Sequence, residues 1–272
     1  MSPRVVAVVV TWNRRQLLEE SLAALAAQTH APIEVVVVDN ASTDGTTDLL
    51  RESYAHLDVM HLAANTGGAG GVAAGIERAL THEPDLVWLL DDDTVPTPTA
   101  AAELVRAWST YRGPGGRPAV LASRVVWTDG RDHPMNTPRT KPGASAVEVA
   151  AARQVGCLPV RSASFVSIVC DAEVVGERGL PIADYFLWND DFEYSTRLIR
   201  DRVGLYCPDS VVVHKTKVFG STDADPGERF FFEVRNKLWL FTRSRGLRPT
   251  ERSLMASERT TPEPNTGEPP PP

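Results

Sequence analysis

Three aspartates stand in a row, Asp91-Asp92-Asp93, directly after the apolar run 86–90. Adjacent carboxylates repel one another, and a loop keeps three of them where a cation or a set of donors compensates. A hard divalent ion such as Mg2+ or Mn2+, held by one or two carboxylates plus phosphate oxygens, suits that arrangement. A solvated acidic turn ahead of the helix starting near Thr99 is the competing account. A second acidic group lies in Trp188-Asn189-Asp190-Asp191-Phe192-Glu193 and opens an amphipathic helix carrying Leu198 and Ile199. A carboxylate there can act as a general base, or simply answer the positive end of the helix dipole. His214 closes the apolar run Val211-Val212-Val213 and offers the neutral donor that the aspartate triplet lacks, although a lone histidine after a strand is more often structural. The cluster Gly67-Gly68-Ala69-Gly70-Gly71 permits close backbone approach at a helix N-terminus, which suits a pyrophosphate. Its G-x-G-x-x-A match (Gly68, Gly70, Ala73) follows the third strand, whereas a dinucleotide fingerprint follows the first, so a glycine turn without a ligand reads equally well.

These residues need elements to position them. Residues 4–11 are nearly all valine, as expected of a parallel strand buried on both faces. Leu17, Leu18, Leu22 and Leu25 then recur at helical spacing to about residue 28. Residues 33–38 form a second apolar strand ending in Asp39-Asn40, and Ser42, Thr43, Asp44 and Gly45 supply turn and cap residues before a short helix to about residue 52. Residues 59–62 read as a weaker third strand, followed by Asn65, the glycines and a helix to about residue 80; 86–90 is the fourth strand. Such alternation predicts an α/β domain with a mostly parallel sheet and helices on both faces. Ligands bind beyond the carboxyl ends of such strands, where Thr11, Asp39, Asn65 and Asp91 all fall.

Composition removes several classes of function. A net charge of −7 and a pI near 5.4 exclude a broad basic surface for nucleic acid. The early apolar run 5–10 is far shorter than the roughly 20 residues of a membrane-spanning helix, and it has neither the basic flank nor the cleavage site of a signal peptide. Cys157, Cys170 and Cys207 form no CxxC and cannot all pair, so free thiols in a reducing cytoplasm are expected.

Taken in order, Val8-Val9-Val10-Thr11-Trp12-Asn13-Arg14, Val37-Val38-Asp39-Asn40-Ala41-Ser42-Thr43-Asp44-Gly45, Asn65-Thr66-Gly67-Gly68, Asp91-Asp92-Asp93 and Trp188-Asn189-Asp190-Asp191-Phe192-Glu193 resemble the family 2 glycosyltransferases, inverting enzymes of the Rossmann-like GT-A fold. The resemblance spans about residues 5–237. The 65–71 stretch and the triplet look most like actinobacterial galactofuranosyltransferases, with rhamnosyltransferases close behind. The resemblance implies a single domain with a nucleotide-sugar-binding half (1–115) and an acceptor-binding, catalytic half (116–250). It implies that Thr11, Asp39, Asn65, Gly68, Asp91 and Asp92 hold the nucleotide sugar. Asp91 and Asp93 would form the metal-binding D-x-D with His214, for Mn2+ or Mg2+. Asp191 would be the catalytic base with Asp190 beside it, and Trp188, Glu193, Arg235 and Asn236 would lie on the acceptor side. The implied reaction moves a sugar from a nucleoside diphosphate to a hydroxyl of a glycan or polyprenyl-linked glycan, in cell-envelope polysaccharide synthesis. Asp190 and Glu193 are expected to raise the proton affinity of Asp191. Trp127, Phe186 and Trp188 would shape the sugar pocket.

Two other readings compete. Leu89-Leu90-Asp91-Asp92-Asp93-Thr94-Val95 also fits the D-x-D-x-[T/V] loop of haloacid-dehalogenase-like phosphatases, with Asp91 as nucleophile and Lys141 as a weak candidate for the required lysine. The other is a catalytically inactive nucleotide-binding domain on the same fold.

The ends of the chain carry their own expectations. Residues 260–272 hold six prolines and no aliphatic or aromatic side chain, so a disordered Pro-rich tail is predicted, beginning at about residue 251. A helix is predicted from Pro226 to about Arg243. Between residues 229 and 252, Arg229, Arg235, Lys237, Arg243, Arg245, Arg248 and Arg252 are set against only Glu233 and Glu251, among Phe230, Phe231, Phe232, Trp239 and Phe241. That mixture suits an anionic membrane surface, and so a cytoplasmic protein peripheral to the inner face of the plasma membrane; a helix whose aromatics pack on the domain while its arginines sit in water is the competing account. Finally, an aspartate triplet without its ion is expected to gain apo stability from Asp93→Asn.

Overall fold

The computed structural model describes residues 2–220 and 227–258. Its first half alternates as the valine-rich runs require: β1 (Val5–Thr11), α1 (Arg15–Ala26), β2 (Ile33–Asp39), α2 (Thr46–Ser53), β3 (Asp58–His61), α3 (Gly67–Leu80) and β4 (Leu86–Asp91). There follow β5 (Thr94–Pro96), α4 (Ala100–Thr110), β6 (Pro118–Val126), a 3₁₀ turn at Pro134–Asn136, β7 (Arg139–Thr140), α5 (Ala146–Gln154), β8 (Leu158–Ser162) and β9 (Ser167–Asp171). The chain then runs through α6 (Ala172–Arg178), α7 (Asp190–Ile199), β10 (Val203–His214), α8 (Phe230–Thr242) and α9 (Pro249–Glu258).

One sheet runs through both halves in the order β3-β2-β1-β4-β9-β6-β10-β8-β7, with β5 paired to β10. β9 lies antiparallel between β4 and β6, and β10 is parallel to β6. β1 to β4, β6 and β10 therefore all point the same way, which is the mostly parallel arrangement expected, and one sheet spans the chain on both sides of residue 115. Register aligns Thr11 with Asp39, Asp39 with His61, and Val10 with Asp91, so the strands of the first half end in one polar row.

Both faces of the sheet are covered. Val5, Ala7 and Val9 pack with Leu18 and Leu22 of α1 and Leu104 of α4; Val6 and Val8 pack with Val72 and Ile76 of α3 and Leu198 of α7. Period-two alternation in a strand buried on both sides demands this division. The glycine cluster forms the opening turns of α3, at the helix N-terminus where the sequence reading put it. A Cβ at Gly71 would lie 2.5 Å from Val10 Cγ1, and one at Gly75 would lie 2.3 Å from Val8 Cγ1. These glycines let α3 lie close on the sheet.

The predicted tail starts too early. Residues 251–258 are helical, because Pro249 is well suited to the first position of a helix and Glu251 anchors it. Arg161, nearly buried, pairs with both Glu251 oxygens at 2.6 and 2.9 Å and also caps the carbonyls of Thr196 and Gly246. Residues 259–272, and with them the Pro-rich stretch, lie outside the described residues, as does Pro226. Among the described residues no helix is long and apolar enough to cross a membrane.

Candidate active site

Asp91 ends β4, Asp93 follows two residues on, and His214 ends β10 opposite Thr94 of β5. Folding brings the three within reach of one ion: a ligand atom from each lies within 4.8 Å of the others. His214 Nε2 stands 3.2 Å from Asp93 Oδ1, which is buried without an aligned hydrogen-bond donor. The other ring nitrogen of His214, Nδ1, donates to Asn136 Oδ1 at 2.8 Å. With Nδ1 committed to Asn136, Nε2 is the ring nitrogen turned toward Asp93, and it is the atom that a divalent cation would take together with the two carboxylates. Burial and the Asp93 charge push Asp91 up to about 6. Burial acts on Asp93 too, but His214 and Arg14 outweigh it and hold Asp93 below the usual carboxylate range.

Asp92 turns the opposite way. Its Oδ2 accepts from Thr11 Oγ1 at 2.8 Å and from Trp12 N at 3.3 Å, and Arg14 Nη1 reaches its Oδ1 at 3.3 Å. It is 5% exposed, and burial pushes it up to about 7 against the pull of Arg14. The nucleotide-sugar role expected of Asp92 is thus corrected: the middle carboxylate of three alternating side chains points under the loop and braces residues 11–14. Thr11, 1% exposed, spends its hydroxyl on that brace. Arg14, which also pairs with Asp93, is the countercharge that the sequence reading left unassigned. The signal was present, since three adjacent acids need a cation and Arg14 follows the first strand.

On the first-half side, Asp39 is 1% exposed. Burial alone would raise it; hydrogen bonds from Thr47 Oγ1 (2.6 Å), Ser42 N (3.0 Å) and His61 Nδ1 (3.1 Å) win and hold it low. Asn65 closes a tight turn by accepting from Gly67 N at 2.8 Å. Asn40, quoted in the sequence motif but given no role there, fixes the same turn: its amide donates to Gly67 O at 2.9 Å and its oxygen accepts from Thr66 N at 2.9 Å. A Cβ at Gly68 would meet nothing within 4 Å, so this position alone at the head of α3 opens onto free space.

Asp190 and Asp191 occupy the first turn of α7. Asp190 is buried, and desolvation together with the Asp191 charge pushes it up to about 8. Asp191 is partly exposed; burial raises it, while Phe192 N, Ser164 and Arg139 pull back. Both pairs of acids sense one another, as Asp191 raises Asp91 and Asp91 raises Asp190. Glu193, expected beside the acceptor, is instead 1% exposed and bound to Arg197 at 3.1 Å and Ser244 Oγ at 3.0 Å. One helical turn separates it from Asp190, so it faces the interior, where the strong partner is Arg197.

The turn before α7 is strained. Phe186, Trp188 and Asn189 all have φ between 63 and 66°, and Leu187 N bonds Tyr185 O at 2.7 Å across Phe186. Residues other than glycine hold such conformations when surroundings impose them, at roughly 1–3 kcal/mol each. Asn236, fully buried, supplies the constraint: its amide donates to the carbonyls of Tyr185, Leu187 and Trp188 at 2.9, 2.8 and 2.7 Å. Arg235 donates to Asp184 O and Tyr185 O and orients the Asn236 oxygen. Arg235 and Asn236 were expected on the acceptor side; the structure places them behind the turn, because buried carbonyls must be satisfied. Trp188 is partly buried at the head of that turn. On the far side Gly67 packs so tightly that a Cβ would lie 2.1 Å from Phe186 O. Lys141, which a phosphatase would need beside Asp91, is ion-paired with Glu148.

Residues 6–140 match the family model described as Glycosyl transferase family 2. Two Mycobacterium tuberculosis proteins are similar over most of this chain. Galactofuranosyltransferase GlfT1 is 30% identical, covering 95% of this chain and 87% of its own. N-acetylglucosaminyl-diphospho-decaprenol L-rhamnosyltransferase is 26% identical, covering 80% and 78%. Among solved structures, GalNAc-T7 with UDP, GalNAc and Mn2+ has a TM-score of 0.65 at 14% identity, over 87% of this chain and 48% of that one. The chain described here therefore spans about half of that larger structure.

Proposed function

Because the chain belongs to glycosyl transferase family 2 and has the GT-A fold, we propose that it transfers galactofuranose or rhamnose, with inversion, to a glycan or polyprenyl-linked glycan of the cell envelope. The donor is a nucleoside-diphosphate sugar. The observation that carries this reading is the pairing of two acidic clusters across the strand ends. Asp91, Asp93 and His214 suit a cation, and Asp190-Asp191 opens α7 near enough for the charges to interact.

Asp91, Asp93 and His214 would hold Mn2+ or Mg2+, which as a Lewis acid offsets charge on the departing diphosphate. The residues of the chain do the rest. Asn40 and Asn65 hold the 65–67 turn so that Gly68 faces open space where the donor would lie. Asp39 and Thr11 line the strand ends beneath the nucleotide. Asp191 accepts the proton of the acceptor hydroxyl as that oxygen attacks the anomeric carbon from the face opposite the leaving diphosphate. Asp190 is neutral near pH 7 and so does not compete for the proton. Single displacement inverts the centre.

The exposed apolar side chains of α8 supply a membrane-facing role at the cytoplasmic surface. Phe230, Phe231, Val234 and Leu238 are 43–62% exposed. The basic residues expected to join them are largely engaged by the domain: Arg235 on the turn, Lys237 on Glu233, Arg248 on Asp201 and Arg252 on Ser244 O. Shallow insertion of the apolar residues, with a smaller electrostatic part, follows.

The test is a panel of nucleotide sugars (UDP-galactofuranose, dTDP-rhamnose, UDP-glucose, GDP-mannose) with and without Mn2+, read first by melting temperature and then by transfer to a polyprenyl-linked disaccharide. Selective stabilisation and transfer from one of the first two donors is expected. Phosphate release from p-nitrophenyl phosphate would revive the phosphatase reading, and binding without transfer to any acceptor would leave an inactive domain.

A further inference from the structure

Arg139 belongs to β7, at the opposite edge of the sheet from β3, β2 and β1. Its backbone is fixed there: Arg139 pairs with Ser162 of β8, and Lys141 N donates to Pro159 O at 3.1 Å. The end of β8 is bound to α7 in turn, where Ala163 N donates to Ser195 Oγ at 3.1 Å and Arg161 Nη1 to Thr196 O at 2.8 Å. From this edge the Arg139 guanidinium lies over the ring of Phe192, with Cζ 5.2 Å from the ring centre. Phe192 directly follows Asp191, and its N–H donates to Asp191 Oδ1 at 2.6 Å. A cation on an aromatic face thus reaches the head of α7 from the half of the sheet opposite the donor.

Nearby cations are spent on carboxylates: Arg131 on Asp129, Lys141 on Glu148 and Arg161 on Glu251. Among the described residues Arg139 has no carboxylate partner, although Asp191 adjoins the ring it lies on. It is an exposed residue on an edge strand, so no packing requirement accounts for its seat on Phe192. A guanidinium resting on a ring keeps its N–H groups in one plane, where a fork of two can meet both oxygens of a phosphate or carboxylate. The acceptor hydroxyl has to reach Asp191, so a charged group elsewhere on the acceptor can fall beside Arg139.

We propose that Arg139, seated on Phe192, binds an oxyanion of the acceptor and gives the enzyme its preference for acidic acceptors, an inference that rests on the transferase reading above. The oxyanion is the diphosphate joining a glycan to its polyprenyl carrier or the carboxylate of an acidic sugar. Arg139 takes no part in proton transfer; it fixes where the acceptor lies relative to Asp191.

Three acceptors built on the disaccharide of the transfer assay separate these sources: a neutral octyl glycoside, an octyl diphosphate, and an octyl glycoside with one sugar oxidised to its uronic acid. Each is measured by calorimetry in the presence of UDP and Mn2+, and by kcat and KM, on the unaltered protein, Arg139→Gln and Arg139→Lys. The unaltered protein should bind one anionic acceptor more tightly than the neutral one, and the acceptor preferred names the source. Arg139→Gln should weaken that acceptor about 10- to 100-fold, in KM more than in kcat, and leave the neutral acceptor and UDP unchanged. Arg139→Lys should fall between, since it keeps the charge and loses the planar fork. The proposal is overturned if the neutral acceptor binds as well as both anionic ones, or if Arg139→Gln weakens all three alike or none. Arg139 would then only guard the exposed sheet edge against strand pairing. An unaltered protein that binds an anionic acceptor through Arg139 yet transfers no sugar would overturn the transferase reading and leave the oxyanion site standing.

Discussion

The side-chain amide of Asn236 donates to the carbonyl of Trp188 across 2.7 Å, and so helix α8 holds the strained turn that delivers the acidic pair of α7. A single amide with two hydrogens serves three carbonyls there, so at least one hydrogen is shared. Asn236→Ala leaves those acceptors buried and unpaired, which costs about 1–3 kcal/mol for the bonds lost. The expected result is a lower melting temperature and a kcat reduced more than donor affinity, checked by scanning calorimetry and steady-state kinetics. An Asn236→Ala protein with unaltered kcat would detach the turn from the chemistry.

Asp91 and Asp93 should respond in opposite directions to amidation. Asp93 is held below the usual range by His214 and Arg14 and therefore stabilises the fold when ionised. Asp91 is pushed up to about 6 and is destabilising when ionised. In the apo protein near pH 7.5, Asp93→Asn should lower the melting temperature and Asp91→Asn should raise it. This revises the expectation that relieving the triplet at Asp93 would stabilise; repulsion falls on the member that lacks a cation. Both variants should lose Mn2+-dependent donor binding, and full activity in excess EDTA would remove the metal from the account.

Apo stability should rise as pH falls from about 8.5 to 5.5. Asp190, Asp92 and Asp91, near 8, 7 and 6, bind protons more tightly folded than unfolded, so each contributes stability as pH drops through its value. His82, raised first by its hydrogen bonds to Asp58 and Glu34, acts in the same direction: its contribution is complete below about 6.5 and is lost as pH rises through its folded value. Below about 4 the trend reverses, because Asp39, Asp58 and Glu34 are held low and lose their stabilising charge on protonation. Melting curves across pH 3–9 in EDTA check this, and a monotonic rise toward alkaline pH would contradict it.

Asp191→Asn should reduce kcat roughly 10²-fold or more, with donor affinity nearly unchanged, because the amide cannot take the acceptor proton. Asp190→Asn should be milder, since Asp190 is already neutral near pH 7. The raised Asp191 also predicts that kcat climbs through the mildly acidic range instead of levelling off near pH 5. A dead Asp190→Asn beside an active Asp191→Asn would move the base by one residue.

Vesicle co-sedimentation addresses α8. The unaltered protein should bind vesicles containing phosphatidylglycerol, keep part of that binding at high salt, and lose most of it in Phe231→Asp or Leu238→Asp, both at exposed positions. Loss of binding to salt alone, with no effect of these substitutions, would assign the attraction to charge. No binding to any vesicle would leave the apolar stripe without a membrane role.

The order of the first-half elements was legible from the sequence because β1, β2 and β4 are apolar runs largely buried within the sheet, and such runs admit little else; the edge strand β3 gave a weaker signal. The residues that meet at the strand ends were legible too, since Asp91, Asp93 and His214 are scarce polar types placed where apolar runs stop, and the fold brings them together. Direction was not. Sequence spacing says that Asp92 is acidic, but only the fold brings Thr11 and Arg14, some 80 residues away, to claim it. Glu193 and Asn236 were misplaced for the same reason: their partners Ser244 and Trp188 are 51 and 48 residues distant. Asn136 was invisible, because an amide in a Pro-rich stretch has no local signature until β6, β10 and the 164 loop close around it. Short-range periodicity reports burial, which the chain writes residue by residue. Which buried polar atom meets which is settled by long-range closure, where each group must find a partner or pay for its desolvation.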